Sequence, residues 1–241
     1  MCGAYYIRQS ARLREHFGIQ TADDLKDFVL KGDSVDPLGL LDEADESMLQ
    51  IFRPTDRVPF IARGRHGHWV GLTATWWLAM DQADNHWAPN QTLATFNSRI
   101  DKIVNAGRSI HTRPPRSFRV LLPASGFVEW HQKRPHLFSR TDGRTLLLGG
   151  MAKAYPTDEG HHYAVSIVTL PGHAKTRHIH EKSVPLMMSD DLIDPWLDRT
   201  RPHSQFEHLQ TPHIPHDLTI QPVQTLAALQ PDGQAETILS D

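Results

Sequence analysis

The chain has 241 residues, a formal net charge of −3, 39% hydrophobic residues and 22% charged residues, which is typical of a globular protein with ample chain for a core. Its single cysteine excludes an intramolecular disulfide framework and fits a reducing cytoplasm. No apolar run approaches the roughly 20 residues that span a bilayer, and no signal peptide is visible, so we expect no membrane partner.

The first quarter of the sequence predicts one strand and two helices. The strand covers residues 4–7, and the amphipathic helices cover residues 10–16 and 21–30. Residues 22–46 hold nine acidic side chains against Lys26 and Lys31, which makes this stretch a poor surface for phosphates. Irregular structure is expected over residues 33–47 and a turn over residues 54–56.

The rest of the chain is predicted to be rich in strands. Strands are expected over residues 58–62, 68–72, 75–78, 118–122, 126–131, 136–139, 145–151, 163–169 and 218–223, and a helix over residues 190–197. Turn sequences such as Thr141-Asp142-Gly143 separate the strands. No internal repeat, linker or low-complexity tract divides the chain. We therefore predict one α+β domain over residues 1–241, built on antiparallel sheet.

A basic stretch interrupts this otherwise acidic sequence between residues 99 and 119. Six basic residues are opposed there only by Asp101: Arg99, Lys102, Arg108, Arg113, Arg116 and Arg119. Such a patch is a candidate footprint for phosphates. The alternative is a solvated loop rich in arginine and proline.

Cys2 becomes the amino-terminal residue if Met1 is removed, and it then carries a thiol and an α-amine on adjacent carbons. Reference pKa values of about 8 for the amine and about 8.5 for the thiol leave both partly reactive near neutral pH. The amine can form a Schiff base with an aldehyde, and the thiol can close on the imine to give a thiazolidine. Gly3 has no side chain to block the substrate. The alternative is a chance or buried thiol.

Three later residues are candidates to assist Cys2. Strand alternation places Glu129 on the face of Phe127 and His131, where a desolvated carboxyl suits a general acid. The alternative is a strand-edge Glu129 that faces water, with Val128 and Trp130 as the buried pair. His180 could move a proton near neutral pH, although a surface role is the default for any one of sixteen histidines. Asn97 could hold a sugar or phosphate oxygen, and its alternative is a plain turn residue.

The motifs of the chain, taken in order, resemble those of the SOS response-associated peptidase family, which includes abasic-site sensor proteins that crosslink to single-stranded DNA. The resemblance rests on these segments: Met1-Cys2-Gly3, Val70-Gly71-Leu72 followed by Trp76, Asn97-Ser98-Arg99, Arg119 to Trp130 with Pro123-Ala124-Ser125-Gly126-Phe127-Val128-Glu129-Trp130, Gly149-Gly150-Met151, the strand ending at Thr169, and His180 with Pro185-Leu186. Each segment alone is weakly specific, whereas the ordered set covers most of the chain.

The resemblance implies antiparallel sheets in a barrel-like arrangement with flanking helices. It implies loss of Met1, by self-processing, and crosslinking of Cys2 to the aldehyde of an abasic site. The catalytic residues it implies are Cys2, Asn97, Glu129 and His180, and the DNA-binding residues are Gly3, Trp76, Trp77, Arg99, Thr169 and Lys182. Trp76 or Trp77 would stack on a base, and Arg99 would contact a phosphate. We expect no cofactor or metal, single-stranded DNA as partner, a monomer, and a cytoplasmic location with access to the nucleoid.

Several positions depart from the family pattern. Ala4 and Lys182 stand where arginine is expected, Val70 replaces tryptophan, Val128 replaces tyrosine, and Glu181 replaces aspartate. The chemistry at Cys2 is therefore expected to be intact, while the grip on DNA is expected to be weakened.

Three other interpretations remain. An N-terminal-nucleophile amidotransferase also begins Met-Cys-Gly, and His111-Thr112-Arg113 faintly matches one of its segments, but the chain has no Asn-Gly oxyanion segment. A metal site could use His66 with His68 or His178 with His180, for which the sequence offers no third ligand. The last interpretation is a DNA-binding relative that does not crosslink.

Overall fold

The computed structural model describes residues 3–8, 49–64, 67, 69–84, 86–105, 109–227 and 229–241. The predicted helices over residues 10–16 and 21–30, the irregular stretch over residues 33–47, and Cys2 lie outside the described residues.

Most of the described elements are strands. In chain order they are β1 (Ala4–Arg8), β2 (Leu49–Phe52), β3 (Arg57–Arg63), β4 (Trp69–Thr75), β5 (Met80–Ala83), β6 (His86–Pro89), β7 (Asn97–Arg99), α1 (Ile100–Val104), β8 (Phe118–Ala124), β9 (Gly126–His131), β10 (Arg134–Arg140), β11 (Leu146–Thr157), β12 (Gly160–Pro171), β13 (Ser183–Pro185), α2 (Asp190–Leu197), β14 (Leu218–Pro222) and β15 (Glu236–Ile238). Short 3₁₀ helices cover Ala174–Thr176 and His203–Gln210.

The strands form two large sheets and a small hairpin. The first sheet has the order β15-β14-β10-β9-β1-β2, with every pairing antiparallel. In the second sheet, β11, β8, β3, β4 and β12 follow one another, and a further β11–β12 pairing closes these five strands into a barrel. β13 and β7 pair with the outer part of β12, and β5 pairs with β6. The predicted barrel-like arrangement of largely antiparallel sheet is confirmed, and the described part of the chain is mostly β with few helices.

The main apolar core fills the space around these sheets. Tyr5, Phe60, Trp76, Phe127 and Phe138 belong to it and are at most 1% exposed. A smaller apolar cluster contains Ala4, Tyr6, Val128 and Leu137 of the first sheet, together with Val223 and Leu229 from the segment after β14. Both faces of β1 and β9 are therefore covered, which explains why their sequences show little polar alternation.

Close contact between strands in the first sheet depends on Gly126. A Cβ atom at this position would lie 2.3 Å from the carbonyl oxygen of Phe138 and 2.5 Å from the ring of Tyr6. Only glycine lets β9 approach its neighbours this closely, so Gly126 fixes the position of the strand that carries Glu129.

The strand predicted over residues 75–78 is wrong. β4 ends at Thr75, and the chain then bends, with the amide of Trp76 donating to the carbonyl of Asp56 and its carbonyl accepting from the amide of Thr55. These two bonds tie the bend to the predicted turn at residues 54–56, which the structure contains. Adjacent tryptophans have high strand propensity, but here tertiary contacts override it. Among the described residues, no helix is long and apolar enough to cross a bilayer.

Candidate active site on strand β9

The site is organised by the pairing of β1 with β9. Ala4 pairs with Val128 and Tyr5 with Phe127, so Gly3 directly precedes a strand that runs beside the carboxyl-bearing part of β9. β1 is also paired with β2 on its other edge, which holds it on both sides. Gly3 is half-buried. Cys2, which precedes Gly3 in the sequence, lies outside the described residues.

Glu129 is a buried carboxyl on this strand. Its residue exposure is 2%, and it follows Phe127 by two positions, on the face of the strand that packs in the main core. Burial raises the pKa of Glu129 from 4.5 to about 7, because desolvation penalises the charged form. The predicted desolvation of this carboxyl is confirmed, and Glu129 is partly protonated near neutral pH.

His180 approaches Glu129 from the loop between β12 and β13. Its Nδ1 atom lies 3.7 Å from Oε2 of Glu129, and its side chain is 21% exposed. Burial lowers the pKa of His180, and positive charge nearby, including Lys182, lowers it further. The two pKa directions together favour a protonated carboxyl beside a neutral imidazole near neutral pH. Such a pair has one proton to give and one site to receive a proton.

Strand β7 brings three more predicted residues together. It runs parallel to β12, with Asn97 beside Ile167 and Arg99 beside Thr169. Thr169 is 3% exposed and also pairs with Pro185 of β13, the strand that continues from the His180 loop. Asn97, Arg99 and Thr169 therefore share the end of β12 from which the His180 loop begins.

The charge of Arg99 is balanced within its own segment. Its side chain is 72% exposed, and it makes a two-pronged contact with Asp101, from Nε to Oδ1 at 2.9 Å and from Nη2 to Oδ2 at 3.0 Å. Sequence reasoning counted Asp101 only as a minor opposing charge. The available signal was its position two residues after Arg99, at the start of α1.

The sequence matches the model of the SOS response associated peptidase (SRAP) family over residues 1–228. The chain belongs to the SRAP family. It is similar to the abasic site processing protein YMR114C of Saccharomyces cerevisiae, with 28% identity over 114 residues, covering 45% of this chain and 30% of the yeast protein. The matched segment is therefore about a third of the length of that curated relative.

Solved structures with the same fold come from two bacteria. A protein from Bacteroides thetaiotaomicron has a TM-score of 0.66 and 17% identity, covering 93% of both chains. A protein from Bordetella bronchiseptica has a TM-score of 0.64 and 15% identity, covering 93% of this chain and all 100% of the other. A phage-related protein of the same organism has a TM-score of 0.56 and 17% identity, covering 96% of this chain and 100% of the other. At these identities the likeness establishes the fold.

The two adjacent tryptophans of this SRAP-family chain, Trp76 and Trp77, are placed differently. Trp76 is 0% exposed, its ring contacts Tyr5 and Phe96, and its Nε1 donates to the carbonyl of Phe96 at 2.7 Å. Trp77 is half-buried and packs against Phe96 with ring centroids 5.7 Å apart. A fully buried ring presents no face to a base. Of the two tryptophans predicted to stack, Trp77 therefore remains the candidate.

The basic stretch does not act as one surface, because Arg119 is buried. It is 3% exposed and donates from Nε to the carbonyl of Trp196 at 2.6 Å, from Nη1 to His203 at 2.7 Å, and from Nη2 to the carbonyls of Asp198 and Arg201. Its guanidinium also lies 4.8 Å from the centre of the Phe206 ring. Arg119 therefore ties β8 to the segment after α2, and the expectation that it contacts phosphate is wrong. Lys102, Arg113 and Arg116 are exposed, and Arg108 lies outside the described residues.

Ala4 and Lys182, the two departures from the family's arginines, occupy opposite environments. Ala4 is 0% exposed in the smaller apolar cluster beside Tyr6 and Val128, so an arginine there would displace packed side chains. Lys182 is exposed and keeps a positive charge next to the His180 loop. The small side chain of Ala4 therefore fits the close packing around it, where an arginine would not.

His178 and His180, one of the two histidine pairs considered for metal binding, are not arranged as a metal site. Nε2 of His178 lies 2.6 Å from Glu236, whereas His180 faces Glu129. Within the described ranges no three His, Cys, Asp or Glu side chains group as ligands, and His66 and His68 lie outside those ranges. His111, part of the amidotransferase-like segment, is 4% exposed, and burial lowers its pKa to about 4.

Proposed function

We propose that this protein captures abasic sites in single-stranded DNA by a covalent bond to Cys2 after Met1 has been removed. One observation carries the proposal: Glu129 is buried on β9, the strand that pairs with the start of β1, and His180 lies beside its carboxyl. Membership of the SRAP family and similarity to a yeast abasic site processing protein support a role in the response to DNA damage.

The proposed chemistry joins the α-amine of Cys2 to the ring-opened sugar of the abasic site. The amine adds to the aldehyde carbon, the resulting carbinolamine loses one water, and an imine forms. The thiol sulfur then bonds to the imine carbon, its proton passes to the imine nitrogen, and a five-membered thiazolidine results. Overall, one protein molecule and one DNA strand are joined with the release of one water molecule. The reaction needs no oxidant or reductant.

Glu129 and His180 are suited to the proton transfers of this sequence. A protonated Glu129 carboxyl can give its proton to the carbinolamine hydroxyl so that it leaves as water. A neutral His180 can accept a proton from the attacking amine or from the thiol. The pKa directions of both groups favour these starting forms near neutral pH. Asn97 would hold an oxygen of the opened sugar.

The proposed DNA path runs over the exposed and half-buried residues near this strand. Trp77 would stack on a base, Arg99 and Lys182 would meet phosphates, and Gly3 and Thr169 would border the lesion. Because Arg99 already contacts Asp101, we expect weak binding to undamaged strands. Covalent capture tolerates a weak encounter because the product accumulates. We propose a monomer that acts in the cytoplasm on nucleoid DNA, and self-processing as the route of Met1 removal.

The test compares three forms of the protein with single-stranded DNA containing one abasic site. We expect the wild type to give a denaturation-resistant complex, and Cys2→Ala to give none. Cys2→Ser keeps the α-amine, so it should give a complex only after borohydride trapping of the Schiff base. The intact mass of the purified wild type should lack Met1, and the adduct mass should show the loss of one water. A wild-type complex that persists in Cys2→Ala would overturn the mechanism.

The same experiment separates the non-crosslinking alternative. A relative that only binds DNA would retard the strand on a native gel without leaving any complex after denaturation. That result would replace covalent capture by reversible binding as the function.

A further inference from the structure

The loop that carries His180, residues 172–182, is closed at its base. A Cβ atom on Gly172 would lie 1.8 Å from the carbonyl oxygen of Glu181, so the two ends of the loop are in backbone contact. Within the loop, the amides of Ile179 and His180 both donate to the carbonyl of Thr176, at 3.0 and 2.9 Å. These bonds fix the internal shape of the loop, but none of them attaches it to the sheet that carries Glu129.

Ile179 belongs to the main apolar core, and polar attachment of the loop comes from residues 236–241, which we call the brace. Oε1 of Glu236 lies 2.6 Å from Nε2 of His178. The carboxylate of Asp241 contacts Nζ of Lys175 at 2.7 Å and Nε2 of His173 at 3.1 Å. Lys175 also donates to the backbone carbonyls of residues 239 and 240, at 2.9 and 3.0 Å. The brace therefore contacts side chains at three positions along the His180 loop.

The brace is itself anchored to the first sheet. Its first part is β15, which pairs with β14, and β14 pairs with β10 beside β9. Asp241 exchanges two hydrogen bonds with the backbone of Ile214, and the amide of Ser240 donates to Asp217 at 2.7 Å. Burial of Asp241 raises its pKa, but the bonds from Lys175 and Ile214 outweigh this and lower the pKa to about 2. The carboxylate is thus charged throughout the physiological pH range.

We propose that the brace is a positioning element that holds His180 against Glu129; this rests on the proposed function of the pair. Glu129 belongs to the first sheet, whereas the His180 loop connects β12 and β13 of the second sheet. The brace ties that loop to the first sheet through Lys175, His173 and His178. Its carboxylates therefore set the separation between two groups that meet from different sheets. The brace carboxylates contact His173, Lys175 and His178, so we expect their effect on the pair to be exerted through the position of His180.

The test uses the full chain with Glu236→Ala and Asp241→Ala combined. Two controls match it: Leu239→Ser, which changes an exposed side chain in the brace but keeps the backbone carbonyl that Lys175 uses, and Glu207→Gln, which removes an exposed carboxylate elsewhere. The first readout is hydrogen exchange of the peptide covering residues 173–182. We expect exchange about tenfold faster in the double variant, unchanged exchange in both controls, and unchanged exchange in β8 and β9.

The second readout is the single-turnover rate of crosslinking to abasic single-stranded DNA. We expect the double variant to lose about tenfold, as partial loss of a general acid–base contribution would give. In a His180→Ala background the same pair of substitutions should change the rate less than about twofold, because residues acting through one group are not additive. A merely structural role would lower the rate equally in both backgrounds and would overturn the proposal.

The remaining outcomes are also decisive. Unchanged exchange in the His180 loop would show that the brace does not hold it. A wild type that forms no crosslink would count against the proposed function, while the exchange result would still decide on the brace. If the double variant fails to fold, Lys175→Met takes its place: it removes, from the loop side, the contact with Asp241 and the two bonds to the carbonyls of residues 239 and 240.

Discussion

Glu129 on a strand of the first sheet faces His180 on a loop of the second sheet, with Oε2 and Nδ1 3.7 Å apart. Neither sheet alone contains the pair, so its geometry depends on how the barrel and the first sheet are held together. The raised pKa of Glu129, about 7, and the lowered pKa of His180 leave a substantial fraction of the pair uncharged near pH 7, with a transferable proton on the carboxyl.

The buried carboxyl of Glu129 should make stability depend on pH. The folded pKa of about 7 lies above the ordinary 4.5, so the folded protein holds this proton more tightly than the unfolded chain. Protonation of Glu129 stabilises the folded state fully below about pH 4.5. As the pH rises through about 7, the free energy of unfolding falls by about 3 kcal/mol. Urea unfolding of Glu129→Gln should therefore show a growing advantage over the wild type from pH 5 to pH 8. Exposed Glu159→Gln is the control, and parallel profiles of wild type and Glu129→Gln would contradict the prediction.

Crosslinking by Glu129→Gln should also be slower by about 10²–10⁴-fold if this residue acts as the general acid. The wild-type rate should fall as the pH rises above about 7, since the protonated carboxyl is then lost. That limb of the profile should be absent from the variant. A rate within twofold of the wild type, with Met1 equally removed, would show that Glu129 takes no part.

The adjacent tryptophans should separate stability from binding. Trp76→Ala removes a fully buried ring and should lower the free energy of unfolding by about 3–5 kcal/mol. Trp77→Ala should weaken binding of single-stranded DNA by about 1–3 kcal/mol through lost stacking, with a smaller effect on unfolding. Urea titration and fluorescence anisotropy measure the two effects. Equal loss of binding in both variants, after correction for folded fraction, would rule out the assignment of stacking to Trp77.

Asp101 should restrain the phosphate contact of Arg99. Asp101→Asn removes the carboxylate that now engages the guanidinium, so noncovalent binding of single-stranded DNA should tighten and its dependence on salt should steepen. One additional phosphate contact corresponds to about 0.7 in the log–log slope. Arg99→Ala in the Asp101→Asn background should cancel the gain. An unchanged slope in Asp101→Asn would remove Arg99 from the DNA path.

Arg119 should matter for folding and not for DNA. Arg119→Met leaves several buried carbonyl acceptors without their donor, and should lower the free energy of unfolding by at least about 3 kcal/mol. Exposed Arg116→Met is the matched control and should change it by less than about 0.5 kcal/mol. A flatter salt dependence of DNA binding in folded Arg119→Met would instead revive a phosphate contact.

The strands that carry the site could be predicted from sequence because their patterns are local. β9 was predicted over residues 126–131 and α2 over residues 190–197, both as the structure has them. Strand alternation left either face of β9 as the buried one, and the structure buries both, with Glu129 2% and Val128 0% exposed. The desolvation could be anticipated, but the partner could not, since His180 reaches Glu129 only through the packing of two sheets.

Other features were invisible because they depend on contacts between distant segments. In the sequence, Arg119 is one of six basic residues of a single stretch. A buried arginine needs several hydrogen-bond acceptors, and those of Arg119 lie about 80 residues further along the chain. The bond between Lys175 and Asp241 likewise has no local pattern. Ala4 reads as a missing arginine, whereas its place in an apolar cluster emerges only when β1 is inserted between β2 and β9.

Because β1 lies between β2 and β9, the amino terminus reaches its final position in the sheet only late in synthesis. Tyr5 and Tyr6 pair with Phe127 and Gly126, which leave the ribosome only after half of the chain has been made. At about 5–20 residues per second, β1 remains without its β9 partner for on the order of ten seconds, although residues of β2 are made earlier. A ribosome-associated aminopeptidase acts within that interval, while self-processing of Met1 must wait for the strand to be inserted. Timing the loss of Met1 against chain completion therefore tells the two routes apart.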